Sequence, residues 1–226
     1  MTTPSLPDAG GYRYDSAGLN CSHGYLLPAL LEILRRESAT LPRPLRVFDL
    51  GCGNGAVAHA VAGCGYQVRG VDPSGEGIAQ ARRAYPDLVL EAGSAYDCLA
   101  EKFGRFPVVY SLEVVEHVYY PRKFAACLFD LVQPGGIAIV STPYHGYIKN
   151  LALALTGKMD DHFTALWDHG HIKFWSRRTL GELLRGAGFT EIRFLRLGRV
   201  PALARAMIAL ARRPFAGARP AAAGAR

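Results

Sequence analysis

The stretch Val47-Phe-Asp-Leu-Gly-Cys-Gly-Asn-Gly-Ala56 constrains this chain more than any other. An apolar run of strand type passes into three alternating glycines and then into a helical pattern over residues 55–63. Gly51 and Gly53 allow a tight turn and bring bare backbone against a ligand, while Gly55 opens the helix. Free N–H groups at a helix start favour a carboxylate or phosphate there. Asp72 ends the next strand pattern, 21 residues after Gly51, where a carboxylate can grip vicinal ribose hydroxyls. Gly51, Gly53 and Ala56 also satisfy the dinucleotide fingerprint, so the glycines alone leave an NAD-dependent oxidoreductase open.

Around this unit short apolar runs alternate with helical patterns, the signature of β-α units on a parallel sheet. Strands are expected at residues 46–50, 67–71, 88–91, 108–111, 137–141 and 191–197. Helices are expected at residues 22–37, with the regular part beginning at Pro28, and at 75–85, 124–132 and 177–187. Residues 207–211 read as a last strand or as the end of a helix from Val200, and periodicity does not separate the two. The expected layout is an N-terminal helical segment (1–44) that closes over a ligand, a main domain (45–213) and a frayed tail (214–226). Within the main domain, residues 143–176 form an irregular insertion rich in aromatics and histidines, long enough to act as a lid.

Composition narrows the class. Of 226 residues, 50% are hydrophobic and 20% charged, which excludes a disordered chain. The net charge of +7 is uneven: eight arginines follow residue 192, so residues 1–192 hold 18 basic against 19 acidic groups, a net −1. That core offers no track for phosphates, and a nucleic-acid partner is not expected. Five cysteines without a C-x-x-C point to reduced thiols. With no signal-peptide pattern at the start and no apolar run near the ~20 residues of a span, a cytoplasmic protein is expected.

Four blocks together, Asp49-Leu-Gly-Cys-Gly-Asn-Gly55, Gly70-Val-Asp72, Ser111-Leu-Glu-Val-Val-Glu-His-Val118 and Gln133-Pro-Gly-Gly136, resemble the class I S-adenosylmethionine-dependent methyltransferases. The likeness runs over about residues 45–200. It implies an α/β, Rossmann-like, seven-stranded and mostly parallel sheet with an antiparallel last strand and helices on both faces. That assigns residues 207–211 to a strand. By the same likeness Gly51, Gly53 and the backbone beside Asp49 hold the methionine end of S-adenosylmethionine, and Asp72, followed by Pro73, holds the ribose. Ser94 and Ala95 would border the adenine, although many members carry an acid where Ser94 stands. Ser111, Leu112 and Glu113 would line the far side.

Glu113-Val-Val-Glu116-His117 follows the fourth strand, where open α/β sheets place their ligands. On a helical turn this spacing puts two carboxylates and an imidazole on one face, and the acids repel unless a positive charge lies between them. The insertion adds His169 and His171. Ubiquinone-biosynthesis O-methyltransferases show E-x-x-E-H and a later H-x-x-x-K-F, matched by His169, Lys173 and Phe174. Small-RNA 2′-O-methyltransferases show E-x-x-E-H and a later H-x-x-x-W-[ST]-R, matched by His171, Trp175, Ser176 and Arg177. In the RNA group such residues hold magnesium.

Three readings of the cluster stand. Glu113, Glu116, His117 and His171 (or His169) hold magnesium or another divalent cation, or His117 acts as general base with Glu116 beside it, or the cluster is purely structural. The expected reaction is O-methylation of a small hydroxylated aromatic, quinol or natural product. An RNA 2′-O-methyltransferase and a non-catalytic cofactor-binding regulator are the alternatives. Tyr144, His145, Tyr147, Phe163, Trp167, Phe174 and Trp175 would make the lid aromatic, and His23 and Tyr25, with Tyr12 and Tyr14 behind them, would close over the cofactor. Ile148, Leu151, Ala152 and Leu155 share a helical face that either packs inward or, with the arginine-rich end, meets a membrane surface.

Overall fold

The computed structural model describes residues 16–37, 39, 44–168, 170–198, 200 and 203–215. Tyr12, Tyr14, His169 and the tail from residue 216 lie outside them. The strands are β1 (Arg46–Leu50), β2 (Gln67–Asp72), β3 (Val89–Ala92), β4 (Phe106–Ser111), β5 (Val132–Pro143), β6 (Thr190–Leu197) and β7 (Ala206–Arg212). The helices are α1 (His23–Glu37), α2 (Ala56–Gly63), α3 (Gly75–Ala84), α4 (Leu99–Phe103), α5 (Pro121–Leu131), α6 (Tyr147–Leu155), α7 (Met159–Phe163) and α8 (Arg177–Gly186). All seven strands join one sheet in the order β3-β2-β1-β4-β5-β7-β6. The first five pair in parallel, and β7 runs antiparallel to both neighbours. This is the expected Rossmann-like α/β sheet, and residues 207–211 are strand because β7 is paired on both edges.

Alternation along the strands splits the core in two. Phe48, Val109, Val140 and Ala209 face α5 and α8, whose Phe124, Leu128, Leu180 and Leu184 close that side. Val47, Tyr110, Ile139 and Ile208 face the other way, onto Leu26, Leu30 and Leu34 of α1 and Val57, Val61 and Ile78 of α2 and α3. Strand order reverses between β1 and β4, so the crevice beyond their carboxyl ends is open to a ligand.

Several boundaries differ from expectation for identifiable reasons. Helix α1 starts at His23 and carries Pro28 inside it. The Asn20 carboxamide accepts from the N–H groups of Ser22 and His23 (3.0 and 3.2 Å), a cap that fixes the start ahead of the proline. Helix α5 starts at Pro121, whose missing N–H costs nothing in a first turn, and ends early because Val132 is already extended (ψ 129°). The insertion is not irregular throughout, since it contains α6 and α7. Nor does the apolar face of α6 pack inward: Ile148, Leu151 and Leu155 are 60–79% exposed. No helix among the described residues is long and apolar enough to cross a membrane.

Part of the arginine-rich end is structural. Arg193 and Arg212 both pair with Glu37 at the end of α1 (2.7 and 3.1 Å), tying that helix to the sheet edge. Arg213 donates to the carbonyls of Phe129 and Val132 (2.6 and 2.8 Å), and Phe215 lies against Gly135. Because the Glu37 carboxylate is largely enclosed and serves two guanidinium groups, Glu37→Gln should lower stability by about 1 kcal/mol in urea unfolding, with the difference shrinking at high salt.

Candidate active site

The turn after β1 is held by its glycines and by β2. Gly51, Gly53 and Gly55 have φ of +92°, +52° and +78°, and a Cβ on Gly51 would lie 2.3 Å from a methyl of Val114. The N–H groups of Gly51 and Cys52 donate to the Val71 carbonyl (2.8 and 3.0 Å). Asp72, at the end of β2, accepts from Gly53 N–H at Oδ2 (2.9 Å) and from Ser74 N–H at Oδ1 (2.8 Å). Over this loop runs the segment before α1: the Asn54 carboxamide donates to the carbonyls of Ser16 and Gly18 (2.7 and 3.0 Å), and the Tyr85 hydroxyl to that of Ala17 (2.6 Å).

A cavity of about 400 Å³ opens above the loop, within the usual range for a small-ligand site. Asp49, Gly51, Gly53, Asp72, Pro73, Ala95, Leu112 and Glu113 line one side of it. His23 and Tyr25 close another, and His117, His145, His162, Trp167, His171 and Phe174 supply the lid side. Asp49 is buried with Oδ2 unpartnered, and burial, reinforced by the charge of Asp72, pushes its pKa up to about 8 against the pull of the nearby Tyr110 hydroxyl. A ligand ammonium would satisfy that oxygen, and the carboxylate of Asp72 suits a diol. The residues therefore fit the two ends of S-adenosylmethionine.

Two expected cofactor contacts are turned elsewhere. Ser111 is fully buried and donates its hydroxyl to the Leu50 carbonyl (2.6 Å), stapling β4 to β1. Ser94 takes Asp97 Oδ2 on its N–H (2.7 Å), accepts Tyr96 N–H on Oγ (3.1 Å), and is absent from the cavity lining.

The segment after β4 brings the acids and imidazoles together. Glu113 adopts φ +54°, costly for a residue with a side chain (about 1–3 kcal/mol). Ser141 holds it there: Glu113 N–H donates to the Ser141 hydroxyl (2.9 Å), which donates to Glu113 Oε1 (2.7 Å). Burial still raises this carboxyl to about 7. Glu116 is fully enclosed, and neither carboxylate oxygen completes a hydrogen bond, although the Thr142 hydroxyl is close. Burial first, and the charge of Glu113 second, push its pKa well above the ordinary value.

The backbone carbonyl of Glu116 accepts from Ile172 and Lys173 N–H (2.9 and 3.0 Å), and Trp175 Nε1 donates to the Val115 carbonyl (3.0 Å). These bonds hang the far end of the insertion on the segment 113–118 and deliver His171 to His117. Their rings are 4.9 Å apart, with Trp167 edge-on to both. His117 Nδ1 lies 3.1 Å from the Gly170 carbonyl, which can only accept, so that nitrogen carries a proton and, in the neutral ring, Nε2 is the one with the lone pair. One ligand atom from each of Glu116, His117 and His171 falls within 4.8 Å of the others. Glu113, bonded to Ser141, is not in that group. Burial and the neighbouring histidines lower His171 to about 4.

The sequence reading overlooked His162 and took His145 only as a lid aromatic. His145 did carry a signal, since it follows the carboxyl end of β5, where such sheets bind ligands. His162 carried none, because its place depends on how the short α7 packs.

The buried acids make a pH prediction. Glu113 rises from 4.5 to about 7 on folding, so the stability tied to its proton is full below about pH 4.5 and is lost as pH rises through about 7. Glu116 shifts the same way. Thermal unfolding of the ligand-free protein should show a midpoint that falls across this window. Glu116→Gln should raise the midpoint at the alkaline end and flatten the fall.

Residues 23–193 match the sequence family described as a methyltransferase domain. A ubiquinone biosynthesis O-methyltransferase from a Caulobacter species is 40% identical over 117 residues, covering 50% of this chain and 46% of that protein. The protein of the same name from Cereibacter sphaeroides is 32% identical over 169 residues, 71% of this chain and 67% of the relative. The chain spans 46–61% of the length of the first such relatives. Among solved structures, magnesium protoporphyrin IX methyltransferase from Synechocystis with bound S-adenosylhomocysteine aligns with a TM-score of 0.65 and 18% identity over 91% of both chains. The methyltransferase domain of bacterial CtHen1 aligns with a TM-score of 0.64 and 21% identity over 85% of this chain and 100% of that one. Those two show the fold; the family match extends over most of the sequence, and the chain belongs to the class I S-adenosylmethionine-dependent methyltransferases.

Proposed function

We propose that this protein methylates a hydroxyl oxygen of a small hydroxylated aromatic, quinol or natural product. The observation that carries the reading is His117, held on the lid side of the cavity by the contact of its Nδ1 with the Gly170 carbonyl, which makes Nε2 the basic nitrogen of the neutral ring. Bound S-adenosylmethionine supplies an electrophilic methyl group on sulfur and departs as S-adenosylhomocysteine. Asp49, Gly51, Gly53 and Asp72 hold and orient it, with Pro73, Ala95, Leu112 and Glu113 against its flank. His117 Nε2 accepts the acceptor's hydroxyl proton as the oxygen–carbon bond forms. Glu116, close to both imidazoles, would stabilise the resulting imidazolium by giving up its own proton, and Trp167 and Phe174 line the lid side of the site. The names of the curated relatives support transfer to oxygen.

One carboxylate and two imidazoles, from Glu116, His117 and His171, also form a donor set that would hold a divalent cation and let it polarise the hydroxyl. The exposed face of α6, in the lid, supports a peripheral lipid contact for an apolar acceptor.

Turnover of a hydroxylated aromatic panel, read by mass spectrometry, tests the reading. His117→Ala should slow methyl transfer by about 10²–10⁴-fold while leaving S-adenosylhomocysteine affinity intact. If a cation takes part, chelation should match the loss seen in His171→Ala, and magnesium or manganese should restore the rate. Full activity in His117→Ala would overturn the assignment.

A further inference from the structure

We propose that the α-carboxylate of S-adenosylmethionine is held by the first turn of α1, through the Nε2–H of His23 and the carboxamide of Asn20, rather than by the N–H groups of the glycine loop. The inference concerns the cofactor alone, so it stands or falls independently of which acceptor is methylated.

The glycine loop has few donors left to offer. Its N–H groups are spent within the protein: Gly51 and Cys52 on the Val71 carbonyl (2.8 and 3.0 Å), Gly53 on Asp72 Oδ2 (2.9 Å) and Gly55 on the Cys52 carbonyl (2.9 Å). That of Ala56 goes to Asn54 Oδ1 (3.2 Å). The loop therefore shapes the cradle without giving these hydrogens to a ligand. No cation takes their place, since among the described residues that line the cavity there is no lysine or arginine, while Asp49, Asp72 and Glu113 are all present. Asp49, with its unpartnered Oδ2, suits the ammonium of the cofactor's amino-acid end. The carboxylate bound to the same carbon must then find directed donors close by, or its burial among acids is expensive.

The start of α1 has such donors, and the loop itself puts them in place. Asn54 and Tyr85 fasten residues 16–18 over the loop, and Asn20 and His23, just beyond, line the cavity. Asn20 N–H donates to His23 Nδ1 (3.1 Å), so the neutral ring carries its hydrogen on Nε2. Burial holds His23 below its ordinary pKa, and a proton on Nδ1 would face the Asn20 N–H, so the imidazole binds as a neutral donor. Asn20 Oδ1 is spent on the Ser22 hydroxyl (2.7 Å) and on the N–H groups of Ser22 and His23 (3.0 and 3.2 Å). The NH2 of that carboxamide is therefore the end that can donate to a ligand. The positive end of a 15-residue helix adds to the attraction for an anion. Neutral donors also suit this cavity for a second reason. A guanidinium among Asp49 and Glu113 would pair with them and compete with the cofactor's own ammonium, whereas an imidazole N–H and an amide do not.

The test titrates the full chain in a calorimeter with S-adenosylhomocysteine, with its decarboxylated analogue, which keeps the ammonium, and with 5′-methylthioadenosine, which lacks both charges. The wild type should bind S-adenosylhomocysteine about tenfold or more tightly than the decarboxylated analogue. His23→Phe should remove most of that preference while leaving affinity for the analogue unchanged, which also shows that the variant is folded. His23→Gln, which brings back an N–H donor, should restore part of it. Asn20→Asp keeps the cap of α1 but replaces the NH2 donor with an acceptor, and should lower the preference as well. Because the donors are neutral, the wild-type preference should persist from low to high salt. An unchanged preference in His23→Phe, an equal loss for both ligands, or a wild-type preference that collapses in salt would overturn the proposal, the last by pointing to a cation. Equal binding of all three ligands by the wild type would leave the cofactor cradle standing and remove the carboxylate subsite. Binding of none of them would contradict the cofactor assignment itself, and the subsite with it.

Discussion

The Asp72 carboxylate is the contact on which the site depends. It receives Gly53 N–H on one oxygen and Ser74 N–H on the other, and so locks the loop after β1 to the start of α3. Gly51 and Cys52 are pinned to the Val71 carbonyl one residue earlier. With the loop set this way the crevice at the reversal of strand order becomes a cradle of fixed shape. Asn54, reached only because that loop is fixed, then anchors the segment before α1 across the top. A β1–α2 turn built without positive-φ glycines could make none of these contacts.

Charge in the cavity follows a pattern that folding alone would not favour. Asp49 and Glu116 are enclosed and Glu113 is half-buried, and burial raises the pKa of each. Opposite them stand four histidines, of which His145 and His171 are lowered to about 4. The groups that would normally be charged are thus held near neutrality until something enters the cavity. Perturbed acids and bases gathered in one cleft are typical of sites that bind and move charge. Elsewhere the chain uses charge conservatively: Arg193, Arg212 and Arg213 hold α1, β6 and β7 in place, which accounts for part of the basic end.

What was legible in the sequence was whatever a local pattern forces. The glycine loop and Asp72 at the next strand end are read from spacing because turn geometry leaves few alternatives. The helical phase expected for Glu113-Val-Val-Glu116-His117, by contrast, does not form: the segment is a turn, and Glu113, at φ +54°, is bonded to Ser141 away from Glu116 and His117. Ser111 and Ser94 were misleading for the opposite reason: a serine hydroxyl goes to the nearest open carbonyl or amide, and spacing does not reveal which one is open. The start of α1 was hidden because the cap on Asn20 outweighs the proline, a comparison of two local effects that periodicity does not make. Choosing between His169 and His171, or finding His162 at all, required the tertiary contacts of the insertion, above all the bonds from Ile172 and Lys173 to the Glu116 carbonyl.

The claim that this cavity holds S-adenosylmethionine by its charged ends is tested most directly by calorimetric titration with S-adenosylhomocysteine at about pH 7 in buffers of different ionisation enthalpy. An ammonium placed against Asp49 should ionise a carboxyl that burial holds at about 8. Binding should therefore release protons, and the measured heat should vary linearly with the buffer's ionisation enthalpy. Heat independent of the buffer would contradict the role given to Asp49, and no binding heat in any buffer would contradict the cradle itself.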